Sequence, residues 1–189
     1  MAFWSSADVE PKRNYRWKVI LDAFEADNIL WWAKTVTTPS FDVSEVEHNF
    51  LDNKYYYPGR VSWNEVSLTL VDPISPDAVF LTNRILEKSG YVIPGDDVFA
   101  ATKETISKAK SIAAGFKSIS IQVMNAAGET IETWTLNNPF IRSAKYGDLD
   151  YSSDDLRTVE MSIRYDWATC EVKGAALPQF QKKSGTPTP

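Results

Sequence analysis

Few side chains in this 189-residue chain could do covalent or acid–base chemistry, and there is one histidine, His48, and one cysteine, Cys170. An imidazole can serve as a general base, but nothing in the sequence sets a nucleophile beside His48, which reads as a surface residue of a polar strand. Cys170 closes an apolar run and reads as an inert, half-buried thiol. A single cysteine makes no disulfide within the chain, and these two residues make no Cys/His metal cluster. Asp148 with Asp150, and Asp154 with Asp155, offer carboxylates without the ordered spacing of a calcium loop, so a solvated acidic loop is the simpler reading. Asp96–Asp97 reads as a helix cap. Glu87–Lys88–Ser89–Gly90 has a Lys–Ser pair but lacks the preceding glycines of a phosphate loop. No Gly-x-Ser-x-Gly elbow is present. The expectation is no catalytic residue, no metal and no cofactor.

What remains is recognition by strand faces. From Thr158 to Trp167 the chain alternates polar and apolar at every step. Val159, Met161, Ile163, Tyr165 and Trp167 fall on one face; Thr158, Glu160, Ser162, Arg164 and Asp166 fall on the other. A strand points successive side chains to opposite sides, so this is a long antiparallel strand with one dry and one wet face. The dry face belongs to a core. The wet face must meet water or a partner.

The bulk numbers allow a real core: hydrophobic residues are 43% and aromatic residues 13% of the chain, with seven Trp. Trp combines a large apolar area with an N–H that needs a partner, which suits sheet packing and interfaces. The net charge of −5 argues against coating a DNA duplex, which needs Lys and Arg to displace counterions. Met1–Ser6 has no basic and apolar leader pattern. No apolar run approaches the roughly 20 residues that span a bilayer, so no membrane anchoring is expected and folding is expected in a cytoplasm.

Alternation places strands over Tyr15–Ala23, Ile29–Val36, Phe41–Phe50, Lys54–Tyr57, Val61–Val71, Lys117–Met124, Glu129–Leu136, Phe140–Lys145 and Leu156–Cys170. Glu25–Asn28, Asp52–Asn53, Pro58–Gly59 and Asn125–Gly128 read as turns or breaks. The pattern slips between Val43 and Val46, which predicts a bulge. Val66, Leu68 and Leu70, then Ile119 and Ile121, join the dry face as core. Ser75–Pro76–Asp77 reads as a helix start, with Ala78, Leu81, Ile85 and Leu86 as the apolar stripe and Gly90 as the stop. A second, polar-rich helix is expected over Asp96–Ala114. The sum is a mainly β, α+β fold: a small antiparallel β-barrel or sandwich with a flanking α-helix and a second helical insertion. Residues 1–13 read as an arm, 14–172 as one domain and 173–189 as a flexible tail. A ring or fibre subunit and a ligand-binding barrel both fit these features.

An ordered series of segments resembles the tail tube protein of contractile-tailed bacteriophages. The series runs Asn14–Tyr15–Arg16–Trp17–Lys18–Val19, Thr35–Val36–Thr37–Thr38–Pro39, Asn53–Lys54, Pro58–Gly59–Arg60, Trp63 and Val66–Ser67–Leu68–Thr69–Leu70–Val71–Asp72. Gly147–Asp148–Leu149–Asp150–Tyr151 and the Thr158–Trp167 strand end it. The likeness covers about residues 12–170 and is also to the tube protein of type VI secretion. It implies a virion structural protein, not an enzyme, whose copies close into hexameric rings. The rings would stack into the inner tube of a contractile tail, assembled in the host bacterial cytoplasm. The implied partners are further copies, a tail sheath protein, and baseplate and tail-terminator proteins, with DNA transiting the lumen without specific binding.

The same resemblance assigns ring stacking to the loop Val46–Pro58, through Val46, Glu47, His48, Phe50, Asp52, Asn53, Lys54, Tyr55, Tyr56 and Tyr57. Asp42, Glu45, Glu47, Glu65, Arg60, Glu160, Arg164 and Asp166 are charge candidates for the lumen or an inter-subunit contact, and Arg60 and Lys54 for pairs across a ring boundary. A baseplate tube-initiator of the same fold and a monomeric ligand- or peptide-binding barrel are the competing expectations.

Overall fold

The computed structural model describes residues 10–23, 26–29, 32–75, 77–92 and 105–174, with backbone only for 22, 23, 26–29, 114 and 115. Eleven strands form three antiparallel sheets. The first has the order β11 (Trp167–Val172), β8 (Thr130–Asn137), β7 (Ser118–Met124), β1 (Trp17–Ala23), β2 (Ala26–Ile29). The second has the order β3 (Ala33–Val36), β6 (Val66–Val71), β10 (Thr158–Arg164), β9 (Phe140–Lys145). The third is a hairpin of β4 (Phe41–Phe50) and β5 (Asn53–Trp63). Mainly β with helical insertions is therefore the fold class.

Register turns alternation into rows. Across the five-stranded sheet, Leu21, Ile119, Leu136 and Ala168 line up, as do Val19, Ile121, Trp134 and Cys170. Across the four-stranded sheet, Leu68 faces Met161 and Val66 faces Ile163, with Val159 beside Leu70. These rows meet in one apolar cluster. Val66, Leu68, Leu70, Ile119, Ile121, Val159, Met161, Ile163 and Tyr165 are all buried.

The strand expected over Thr158–Trp167 is in fact two. β10 ends at Arg164, and β11 begins at Trp167 in the other sheet. Inward parity changes at the bend: odd residues to Tyr165 are buried, then Ala168 and Cys170. Trp167, expected in the core, is instead 38% exposed. The bend is held by Asp166, whose N–H donates to the Asn137 carbonyl at 3.1 Å. Its carboxylate accepts from Lys108 Nζ at 2.5 Å and Asn138 Nδ2 at 2.8 Å.

Other breaks also fall where strands change partners. The expected Ile29–Val36 strand is divided between β2 and β3, and part of the expected Glu25–Asn28 turn lies in β2. Val61–Val71 divides into the end of β5 and β6. Pro58–Gly59 does not end a strand, because the hairpin has only two strands and both are edges, where a proline is tolerated.

Helix α1 (Ala78–Lys88) is capped by Asp77, which accepts from the Phe80 N–H at 2.8 Å, rather than by Ser75. Asp72 adds a second cap, accepting from the Ala78 N–H at 3.1 Å. Thr82, outside the expected stripe, is buried with Ala78 and Ile85 while Leu81 and Leu86 are half-buried; its hydroxyl donates to the Ala78 carbonyl at 2.8 Å and meets the Met161 sulfur at 3.6 Å. Gly90 ends the helix at φ +104°, and a Cβ there would lie 2.7 Å from the Thr105 carbonyl oxygen. The second helix is described only near its end: α2 (Lys108–Lys110) runs into a π-helical turn (Ser111–Gly115). Its expected start, the arm's first nine residues and nearly all of the expected tail lie outside the described residues.

Truncating Leu68, fully buried opposite Met161, to Ala leaves a cavity between the sheets. The expected loss is about 2–5 kcal/mol of unfolding free energy, read from urea denaturation.

Candidate functional site

The β4–β5 hairpin takes no part in either of the larger sheets. Its root is tied to the core by aromatic contacts: Phe41 meets Trp63 edge-on at 5.4 Å between ring centroids, and Trp63 lies 6.0 Å from Tyr165. Asn64 clamps the same root, donating from Nδ2 to Asp42 at 2.9 Å and from its N–H to the Ser40 carbonyl at 2.9 Å. Beyond the root, every residue from Phe41 to Ser62 is exposed.

One irregularity sets which side chains share a face. Val43 pairs with Val61 but Glu45 pairs with Pro58, so β5 carries one residue more than β4 there. Ser44 fills the bulge, accepting from the Arg60 N–H at 2.8 Å and donating to its carbonyl at 3.3 Å. A Cβ on Gly59 would lie 2.3 Å from the Ser44 hydroxyl, so only glycine fits. Past the bulge, Val46, His48 and Phe50 face the same way as their partners Tyr57, Tyr55 and Asn53. The opposite face carries Glu45, Glu47 and Asn49 beside Pro58, Tyr56 and Lys54. Lys54 Nζ pairs with Glu47 at 2.9 Å within the hairpin.

The outer half of the hairpin is thus a two-faced ribbon, aromatic on one side and charged on the other. Val46 is 61% and Phe50 60% exposed. The turn places Leu51 beside Asp52 at the tip, 86% exposed with φ +53°. A left-handed backbone costs a side-chain-bearing residue roughly 1–2 kcal/mol, and folding gains no burial from Leu51 in return.

The charge candidates sort into separate places. Glu65 lies at the start of β6 and draws Arg164 to 3.5 Å. It also holds Arg142 of β9 and accepts from the Ser162 hydroxyl at 2.5 Å. The Ser162 hydrogen bond first, then the two guanidiniums, keep the Glu65 carboxyl below the usual range. Arg142 was not singled out in sequence and Ser162 only as part of the wet face, because nothing local shows that β9 and β10 are neighbours. Glu160 stands in register with Lys145 on β9. Asp42 is spent on the hairpin root and Asp166 on the sheet-changing bend. Partial burial pushes the Asp166 carboxyl up, but its hydrogen bonds from Lys108 and Asn138 outweigh this and leave it low. Glu45 and Arg60 lie on the exposed hairpin.

Outward rows of the four-stranded sheet are hydroxyl-rich: Ser67, Ser162 and Ser143 align, next to Thr35, Thr69, Glu160 and Lys145. Cys170 is buried, and burial pushes its thiol up, away from the reactive thiolate. Among the described residues, no group of three His, Cys, Asp or Glu is placed to hold a metal ion, and no helix is long and apolar enough to cross a membrane.

The Glu65 cluster gives a signed pH dependence. Its folded carboxyl titrates below the unfolded value, so its stabilisation is present above the ordinary glutamate range and disappears as pH falls through the lowered value. Glu65→Gln should lower the melting temperature at neutral pH, with the gap to wild type closing as the pH is taken below that range. A gap of constant size across the titration contradicts the ionic account.

No family model matches the chain, and no curated protein matches it. Solved structures do. The tube-terminating cap of the anti-feeding prophage is 18% identical, with 91% of this chain and 99% of that chain covered and a TM-score of 0.62. The sheath/tube terminator of an extracellular contractile injection system is 19% identical, covering 88% and 100%, with a TM-score of 0.61. A chain of the sheath–tube complex of that system is 19% identical, covering 86% and 92%, at 0.56. This chain therefore shares its fold with these cap, terminator and sheath–tube chains of contractile injection systems.

Proposed function

We propose that this chain is a structural subunit of a contractile tail or injection device, and that its copies close into hexameric rings which stack into an inner tube. The observation that carries this is the projecting hairpin, which exposes an aromatic face that its own protomer never covers. Docking Val46, Phe50, Tyr55 and Tyr57 against an adjacent ring would remove that face from water. The edge strands β3 and β9 of the four-stranded sheet offer backbone groups for pairing with neighbours. The role is structural and not catalytic, with sheath, baseplate and terminator proteins as partners.

The hydroxyl-rich face of that sheet suits a channel wall. Arg142 and Arg164 there are engaged by Glu65, so neither is a bare cation that would hold passing phosphates. In a bacteriophage this lumen carries DNA into the host without specific binding. The terminator similarities favour a second position for the subunit, as a single ring at a tube end. Copy number per particle separates the two: many rings for a tube protein, one for a terminator or initiator.

Negative-stain microscopy of the purified protein should show rings or hollow tubes with sixfold views; a monomer at every concentration, as a ligand-binding barrel would give, overturns the proposal. Deleting Phe50–Tyr57 should abolish tubes while rings persist, and unchanged tubes would sink the stacking role. Leu51→Gly offers a finer check. It relieves the positive φ, so the melting temperature should hold or rise while tube length falls.

A further inference from the structure

The five-stranded sheet carries a carboxylate where its pattern asks for an apolar side chain. Leu136, Trp134 and Glu132 follow one another on the same face of β8. Leu136 is fully buried, and Trp134 packs against the core. Glu132 continues that row, in register with Val123 of β7 and Val172 of β11, and beyond Val123 stands Trp17 of β1. The Glu132 side chain is 15% exposed. An ionised carboxylate so placed is costly unless it is paired.

The pairing charge comes from outside the sheet. Trp134 Nε1 donates to Glu132 Oε1 at 2.5 Å, and Lys12 Nζ holds Oε2. Lys12 belongs to the arm, 120 positions away in sequence. Ahead of β1 the chain turns, and the Arg16 N–H donates to the Arg13 carbonyl at 3.2 Å. Arg16 is fixed to the sheet, since its carbonyl accepts from the Met124 N–H at 2.9 Å, and its guanidinium holds Glu10 at 2.7 Å. From there Lys12 crosses β7 to reach β8, two strand spacings or roughly 10 Å.

The position of this pair decides what it guards. Cys170 faces Trp134 across the β8–β11 ladder, one row inward from Glu132, and is 3% exposed. Burial first, then the Glu132 charge, pushes its thiol up, while Lys12 draws it down, so both charges are felt at the sulfur. Without Lys12, Glu132 keeps a desolvated charge and turns out to water. Turning breaks its bond from Trp134, the side chain beside Cys170. An apolar residue at position 132 would close this end of the core permanently. A glutamate makes closure depend on the arm.

We infer that residues 10–16 form a strap across one end of the core, latched by the Lys12–Glu132 pair, and that breaking the latch opens this end beside Cys170 while both large sheets stay folded. The device uses none of the hairpin residues and stands apart from the assembly reading.

Cys170 is the chain's single cysteine, so its alkylation reads the opening directly. The probe is N-ethylmaleimide, which is uncharged, applied to the full chain in native buffer. Lys12→Met keeps most of the side chain's length and removes its charge. It should speed alkylation roughly tenfold, less than a fully buried pair would give. Electrostatics alone would do the reverse, because the Lys12 charge favours the thiolate. Adding Glu132→Leu to Lys12→Met should return alkylation to the wild-type rate or below, since this end then holds no charge that needs the latch. Alkylation of Lys12→Met should rise little with urea below the unfolding transition, because a local opening exposes little surface. An unchanged rate in Lys12→Met overturns the inference. So does a rate that follows global unfolding in urea, or a double variant that stays fast.

Discussion

Packing of Val66, Leu68, Leu70, Val159, Met161 and Ile163 against Val19, Leu21, Ile119, Ile121, Leu136 and Ala168 is the contact on which the rest of the molecule depends. Each sheet is dry on one face only, and neither is stable until the other covers it. This requirement explains the chain's sharpest local feature. Between Arg164 and Trp167 the backbone leaves one sheet and enters the other, and the inward residues shift from odd to even. The bend carries its own polar partners, Asn137, Asn138 and Lys108, because a strand that changes sheets leaves backbone groups without a ladder.

Once that core is closed, much apolar surface is left over. The aromatic face of the hairpin and the leucines and tyrosine of loop 147–156 stay exposed, yet the hairpin is built on well-defined supports. The hairpin has a bulge that only Gly59 permits, an aromatic root and an internal ion pair. A monomer gains nothing from such construction. The proposed subunit would, because such surfaces are buried where copies meet. Charge on the hydroxyl-rich face is also held in place, since Glu65 engages both Arg142 and Arg164.

Much of this was legible in the residues. The dry faces of β6, β7 and β10 were readable because burial on one side of a strand imposes a period of two. The slip between Val43 and Val46 marked the register shift of the hairpin. Reading Thr158–Trp167 as one strand put Trp167 in the core, since alternation runs on unbroken through a bend whose partners lie far along the chain. Ser75 was read as the helix cap because its type suits the role; Asp77 takes it, with Asp72 adding a hydrogen bond from across a loop. Of the proposed assembly surface, the aromatic run Tyr55–Tyr57 was visible and alternation puts Tyr55 with Tyr57, but which β4 residues share their face was not, because that depends on the register set by the bulge.

The sequence by itself determined the fold class, through strand periods and one dry face per strand, and the net charge of −5. Those are local or summed properties, and neighbouring residues suffice to state them. Only the tertiary structure decided which strands share a sheet, that the hairpin stands clear of both large sheets, and that Glu65, Arg142, Ser162 and Arg164 form one cluster. It also decided that the exposed loop 147–156 and the apolar groove beside α1 sit at opposite ends of β9. Pairing between strands joins residues up to about a hundred positions apart, as Glu65 and Arg164 are, and its free energy is settled by which faces the whole core must bury.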